Sequence, residues 1–289
     1  KEMEHDLMEI TAHLGARLSH SVWQGQIVSL SGENTKYLTL EDIGYGEVTG
    51  FMGANCKHNW YPFFEGLSSP YSSDYLEELQ NKTIYYKGKE YSYYEATQVQ
   101  RQMERDIRNI KKSLLMYNEI DDKEMFMINS AKRKIKKDEY ESFCKLIKTP
   151  TRLENTQKLY YNKHISGKSV ASNIKVKNNE ILSDIMSKNW TDTYKRKVLK
   201  VYNDFEKQGY IADTHFLSRF LQRKDKKGFE NIEINDVFHL LSLKANYIEN
   251  DRLVYFDKNL KFACIQNKDN NILITFVRRK NIKKGWKEI

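Results

Sequence analysis

Residues 11–32 read TAHLGARLSHSVWQGQIVSLSG and residues 39–66 read TLEDIGYGEVTGFMGANCKHNWYPFFEG. Eight of the chain's thirteen glycines lie between Gly15 and Gly66. Glycine concentrates where the backbone takes positive φ or where two backbone segments approach closely, so this stretch predicts a compact, loop-rich unit. Two short-spaced pairs lie inside it: His13 with His20, and Cys56 with His58 in the tetrapeptide NCKH. Together they offer the four nitrogen or sulfur donors of a closed tetrahedral zinc site, although the spacing is not that of a known zinc finger. Two readings are open. One is a structural zinc on His13, His20, Cys56 and His58; the other is histidines that hydrogen-bond backbone carbonyls beside a cysteine buried as a small hydrophobe.

The segments HLGARLSHSVWQGQIVSLSG and GYGEVTGFMGANCKHNWYPFFEG resemble the phage minor capsid protein 2 family, a branch of the MuF-like minor head proteins of tailed phages. The resemblance covers residues 1 to 117 and includes the helical YEATQVQRQMERDIRNIKK. The sequence departs from the family at Leu18, where Pro is usual, and at Lys57, where Arg is usual. The lysine lacks the bidentate hydrogen bonding an arginine would give a carboxylate partner. The resemblance implies a place in the virion, portal or capsid proteins as partners, and a long helical region ahead of Lys1 in the family's full-length members.

Composition bounds the rest. A chain of 289 residues is long for one domain and comfortable for two. Its 39% hydrophobic and 12% aromatic content excludes wholesale disorder. The three cysteines, Cys56, Cys144 and Cys264, are odd in number and widely spaced, which predicts a reducing compartment and no disulfide framework. No run of about 18 apolar residues predicts a membrane helix, and the acidic KEMEHDLMEI start is not a basic leader, so a protein made in the bacterial cytoplasm is expected. The net charge of +9 is unevenly spread: residues 1–100 hold 7 Lys/Arg against 14 Asp/Glu, and residues 101–289 hold 41 against 25. Opposite charge on two parts points to two jobs, and a basic second part fits a polyanion such as nucleic acid. A Lys-rich composition of the whole proteome would leave the same trace.

The pattern predicts three parts in an α+β chain: a MuF-like domain over 1–120, a charged helix and linker over 121–178, and a C-terminal domain over 179–289. YSSDYLEELQ reads as a short helix, and TIYYKGKEYSYYEA as a hairpin turning at Lys87 and Gly88. Val99, Met103, Ile107, Ile110 and Leu114 form the apolar stripe of a long helix from about Tyr94 to Ile120. Arg101, Arg105, Arg108, Lys111 and Lys112 occupy its other, solvated face. A charged helix follows to Lys148, and Pro150 opens a polar stretch over 149–180 that reads as a linker. Its GKS at Gly167–Ser169 lacks the earlier glycine of a phosphate loop and follows no strand.

Helices at ILSDIMSKNW and TDTYKRKVLKVYNDFEKQG lead into helices over about Thr214–Arg223 and Asn235–Lys244, then strands over about Leu253–Phe256, Lys261–Gln266 and Ile272–Arg278. In DTHFLSRFLQR, His215, Arg219 and Arg223 share one helix face, with Asp213 or Thr214 as N-cap. A helix N-terminus lowers a histidine pKa and favours the neutral base. Strand alternation puts Leu273, Thr275 and Val277 on one face, leaving Thr275 the hydroxyl in an apolar row. His239, among Phe238, Leu240 and Leu241, reads as structural.

This order, opened by HFLSRFLQR and closed by ILITFVRRK, resembles the barnase, EndoU, colicin and RelE-like (BECR) ribonuclease fold over residues 211–289. Such toxin modules occur at the C-termini of MuF-like proteins. The resemblance implies metal-independent RNA cleavage with His215 as acid or base, Arg219 and Arg223 on the phosphorane, and Thr275 on a phosphate oxygen. Arg278, Lys280 and Lys283 would hold backbone phosphates. It also implies an RNA substrate, tRNA among the options, an immunity protein as partner, and no cofactor for the nuclease. The competing reading is a non-enzymatic structural protein with a basic tail on DNA or portal. An ADP-ribosyltransferase finds no Arg, Ser-Thr-Ser and Glu-x-Glu succession here.

Overall fold

A computed structural model describes residues 5–289 and has the expected mixed α+β class. The chain forms two compact units, Lys1–Asp106 with Asp138–Thr156 and Ile107–Lys137 with Gln157–Ile289. These boundaries cut across two long helices, whereas composition suggests breaks at 120 and 178.

In the first unit the glycine-rich stretch carries short regular pieces between its turns. Strand β1 (Leu7–Ile10), the single turn α1 (Leu18–Ser21) and strands β2 (Ile27–Ser29), β3 (Leu38–Thr39) and β4 (Trp60–Pro62) follow in sequence. The sheet order is β3-β2-β1-β4, with β1 antiparallel to β2 and β4, and β3 parallel to β2. Ile10, Trp23, Val28, Ile43 and Phe51 form the core beside it. The loop from Gly44 to Asn55 folds back on itself so tightly that a β-carbon on Gly50 would stand 1.8 Å from the Gly44 carbonyl oxygen, which only glycine avoids.

Helix α2 (Ser73–Asn81) starts at Ser72, whose hydroxyl accepts the Tyr75 N–H at 3.2 Å. Strands β5 (Thr83–Tyr86) and β6 (Lys89–Ser92) turn at Lys87 and Gly88, where φ is +49° and +80°, the paired positive values of a type I′ turn. Helices α3 (Tyr93–Glu119) and α4 (Lys123–Leu146) follow. The buried face of α3 differs from the apolar stripe. Met103, Ile107 and Leu114 are buried, but Val99 and Ile110 are only half-buried, and Gln100 and Glu104 are buried instead. Polar partners allow this. Glu104 accepts hydrogen bonds from Tyr140 Oη at 3.0 Å, Arg152 Nε at 2.8 Å and Asn155 Nδ2 at 3.1 Å. Gln100 Nε2 donates to Thr149 Oγ1 at 3.1 Å and the Pro150 carbonyl at 3.2 Å.

In the second unit, residues 163–177 of the stretch expected as a linker over 149–180 form a helix instead. Helix α5 (Lys163–Lys177) is capped by Asn162, whose side chain accepts the Ile165 N–H. It docks on α4 through Arg133 Nε to Ser169 Oγ at 3.2 Å and Asn173 Nδ2 to the Ser130 carbonyl at 3.0 Å. A polar helix held by polar contacts leaves no apolar period, so its sequence looks like a linker. Gly167 to Ser169 lie inside this helix.

Helices α6 (Glu180–Ser187) and α7 (Asp192–Lys207), capped by Asn179 and Thr191, lead to strand β7 (Ile211–Ala212) and helix α8 (Thr214–Arg223). Helix α9 (Ile234–Ser242) precedes strands β8 (Tyr247–Glu249), β9 (Arg252–Asp257), β10 (Phe262–Asn267) and β11 (Ile272–Arg278), then β12 (Lys287–Glu288). They build a six-stranded sheet of order β12-β8-β9-β10-β11-β7, antiparallel except where β7 runs parallel to β11. One face packs Phe262, Cys264, Leu273 and Phe276 against α7, α8 and α9 through Phe205, Phe216, Phe220 and Val237. The other gathers Tyr247, Val254, Phe256, Ala263 and Ile265 with Trp286.

Alternation along β11 is broken by a bulge. Ile265 pairs with Thr275 but Gln266 pairs with Leu273, so Ile274 is an extra residue. Leu273 therefore joins Phe276 on the helix-packed face, while Ile274 lies with Val277 on the other, contrary to simple alternation.

Candidate functional site

Helix α8 lies along β11. Its entry is fixed by the Asp213 N–H, which donates to the Leu273 carbonyl at 2.9 Å, and its exit by Arg223 Nη1, which donates to the Phe276 carbonyl at 3.0 Å. Asp213 caps the helix by accepting the Phe216 N–H at 2.6 Å. Burial raises the pKa of Asp213 above the usual carboxylate value, opposed by that hydrogen bond and by nearby His215. Phe216, Leu217 and Phe220 are buried, which turns His215 outward, exposed, and leaves Arg219 and Arg223 half-buried on the same side. Of the row His215, Arg219, Arg223, the last reaches the backbone of β11 at Phe276, next to Thr275.

Thr275 pairs with Ile265, a member of the cluster on the sheet's second face, so its side chain is directed away from the apolar side of α8. Among the described residues no hydrogen bond joins Thr275 to His215, Arg219 or Arg223. The link between the helix row and the threonine is the Arg223 contact with the Phe276 carbonyl on the backbone of β11.

Of the expected phosphate-holding set, two of the three members have partners within the domain. Arg278 is 6% exposed: Nη2 donates to the Glu230 carbonyl at 2.6 Å, the guanidinium lies 4.9 Å over the Phe229 ring, and burial lowers its basicity. It faces the core side of the sheet because its strand partner is Phe262. Lys283 pairs with Glu249, which also accepts Trp286 Nε1 at 3.1 Å, so it pins the segment after β11. Lys280 is exposed. His239 is exposed on α9 and is no core residue.

The first unit contains a second constellation. His20, Cys56 and His58 bring one donor atom each to within 4.8 Å of the other two. His20 Nδ1 stands 3.4 Å from His58 Nδ1, and Cys56 Sγ stands 3.5 Å from His58 Nδ1. The distal nitrogens are fixed: His20 Nε2 donates to the Thr49 carbonyl at 2.7 Å and His58 Nε2 to Gln24 Oε1 at 3.3 Å. Burial lowers the pKa of His58 to about 3, and burial likewise lowers that of His20. Both rings are neutral near pH 7.

His13, the fourth expected ligand, stands just outside this trio. Its ring lies 4.2 Å from that of His58, Nδ1 donates to the Leu14 carbonyl at 3.1 Å, and Nε2 is buried with no partner. A cavity of about 260 Å³ opens beside His13, His20 and His58, with Arg17, Lys57 and Arg101 on its walls. Sequence reasoning missed the residues that orient the trio. Gln24 and Arg17, which donates to the Ala54 carbonyl at 2.7 Å, stand inside the quoted motif and were open to being found. Thr49 acts through its carbonyl, for which no side chain signals.

Comparisons with known proteins place the first half of the chain in a class. A structural protein of Lactococcus phage LL-H is 31% identical over 118 residues, which cover 38% of this chain and 29% of that protein. A structural protein of Lactococcus phage mv4 is 34% identical over 84 residues, covering 28% of this chain and 58% of that protein. The aligned part thus spans less than two thirds of either relative. No solved structure matches the chain. Residues 1–145 match the family described as phage minor capsid protein 2, and the chain belongs to that family. The match reaches through nearly all of α4, past the end at 117 that the motifs alone suggest.

Proposed function

We propose that this chain is a virion component that meets portal or capsid proteins through its family region, and that its C-terminal part is a metal-independent endoribonuclease. The relatives' description as structural proteins supports the first half. The observation that carries the second is the anchoring of α8 along β11 at both ends, with His215 exposed in the first helical turn and Arg219 and Arg223 behind it. In this reading a base takes the proton of a ribose 2′-OH and O2′ attacks phosphorus. The P–O5′ bond breaks, and an acid returns a proton to O5′. His215 takes one of these two roles, worth about 10²–10⁴-fold. Arg219 stabilises the phosphorane, with Arg223 already committed to the Phe276 carbonyl through one nitrogen. An RNA substrate and, in the producing cell, an immunity protein belong to this reading.

The test is expression of the full chain in bacteria beside His215→Ala, with total RNA separated by electrophoresis and both proteins checked by circular dichroism. Discrete RNA fragments lost in the variant are expected. Intact RNA with folded wild-type protein overturns the proposal. The structural employment of Arg278 and Lys283 favours a second reading, a non-enzymatic head protein. Salt-sensitive binding to DNA without RNA turnover would mark it.

A further inference from the structure

We propose that His20 Nδ1, His58 Nδ1 and Cys56 Sγ bind a divalent cation of the zinc class, with a water as the fourth ligand. This inference stands independently of the ribonuclease reading and reduces the four-residue expectation to three.

Two arguments carry it. The first is the proton arrangement. A carbonyl oxygen only accepts, so Nε2 of His20 carries the proton that goes to Thr49, and Nδ1 is left with a lone pair. Gln24 Oε1 also accepts the His13 N–H at 3.2 Å, which fixes the amide orientation and makes it the acceptor for His58 Nε2. His58 Nδ1 is then a second lone pair, 3.4 Å from the first. A Cys56 thiol proton shared with His58 Nδ1 would satisfy one nitrogen and leave the other facing it across a buried gap. Moving the His58 proton to Nδ1 only transfers the opposition to Gln24 Oε1. A cation between the two nitrogens and the sulfur resolves all three, and outer carbonyl or amide acceptors on each imidazole are the usual support of a metal-bound histidine.

The second argument is metric. Zinc–nitrogen bonds of about 2.0–2.1 Å and a zinc–sulfur bond of about 2.3 Å, at tetrahedral angles, give edges of about 3.3–3.4 Å between nitrogens and about 3.6 Å between nitrogen and sulfur. The two edges that meet at His58 Nδ1 are 3.4 Å and 3.5 Å, and the third, between His20 Nδ1 and Cys56 Sγ, is within 4.8 Å, so it closes by a small movement of the Cys56 side chain when the cation binds. His13 fits the remaining role as an acceptor for the bound water, because its Nδ1 proton is spent on Leu14 and its buried Nε2 is free.

The full-length chain, stripped with chelator and titrated with Co²⁺, tests this. Expected are a single Co²⁺ per chain, d–d bands of tetrahedral intensity, and a thiolate-to-cobalt charge-transfer band, all displaced by Zn²⁺. Cys56→Ser removes the charge-transfer band. Gln24→Ala weakens affinity by about 10–100-fold. His13→Ala keeps both the metal and the band. Because binding is read first on wild-type protein shown to be folded by circular dichroism, a variant that fails to fold does not decide the matter. Folded wild type that takes up no Co²⁺, or takes it up without the charge-transfer band, overturns the site. Survival of the band in Cys56→Ser, or loss of metal in folded His13→Ala, overturns the ligand assignment.

Discussion

Replacing Glu104 by Gln removes the one negative charge in a cluster where Tyr140, Arg152 and Asn155 all donate to it. Glu104 is 3% exposed and Arg152 is 25% exposed at the side chain. Breaking a fully buried ion pair costs about 3–5 kcal/mol, and the partial exposure of Arg152 discounts this to about 2–3 kcal/mol. The amide NH2 also faces a donor whichever way it sits, Asn155 in one orientation and both Tyr140 and Arg152 in the other, so at least one hydrogen bond is lost. Hydrogen exchange read by mass spectrometry suits the question, since Tyr140 Oη in turn accepts the Arg152 N–H at 2.8 Å. At 1.4 kcal/mol per tenfold, peptides over 138–156 are expected to exchange about 30–150-fold faster, and peptides over 252–278 at the wild-type rate. Removing both charges, as Glu104→Leu with Arg152→Met, recovers part of the loss. Acceleration of less than about threefold in folded Glu104→Gln refutes the reasoning, because the charge would then contribute nothing beyond an uncharged acceptor.

Three further outcomes follow from particular contacts. Gly50→Ala forces backbone to move away from the Gly44 carbonyl and is expected to lower stability by at least about 2 kcal/mol in urea melts; a smaller effect means the loop from Gly44 to Asn55 is looser than described. Asp213 has a folded pKa above its unfolded value, so its protonated form favours the fold at low pH and that contribution is lost as pH rises through the folded pKa. Asp213→Asn keeps the cap and should equal or exceed wild type at pH 7, while Asp213→Ala loses about 1 kcal/mol; a destabilised Asn variant contradicts this. In the folded, metal-stripped chain thiol reagents should label Cys56 alone of the three cysteines, since Cys144 and Cys264 are buried and burial pushes the Cys264 thiol far up; labelling of Cys264 in the folded chain contradicts the packing.

Sequence resolved the second unit best where strong local signals agree with tertiary demand. The span Thr214–Arg223 and the strand Ile272–Arg278 stand where periodicity puts them, because Asp213 supplies a cap and β-branched residues fill the strand. Two features were illegible for physical reasons. The bulge at Ile274 arises from pairing with β10, and no single strand records its partner's register. The buried Gln100 and Glu104 look like surface residues until Thr149, Arg152 and Asn155, about fifty positions later, provide their partners. The same holds for the candidate site: composition marked His20, Cys56 and His58, but only the fold separates them from His13. Charge alone did not reveal that Arg278 and Lys283 serve the domain's own structure.

The anchoring of α8 has one more consequence. Beyond its short pairing with β7, the outer rim of β11 would otherwise present carbonyl and amide groups to any passing extended chain. Arg223 occupies the Phe276 carbonyl on that rim. At the opposite rim β12 is two residues long, exposed and doubly charged, with Lys287 and Glu288. Short charged rims and covered rims are how sheet proteins avoid fusing with their neighbours. A sheet guarded at both ends in this way can be crowded among many copies of itself without growing into fibres.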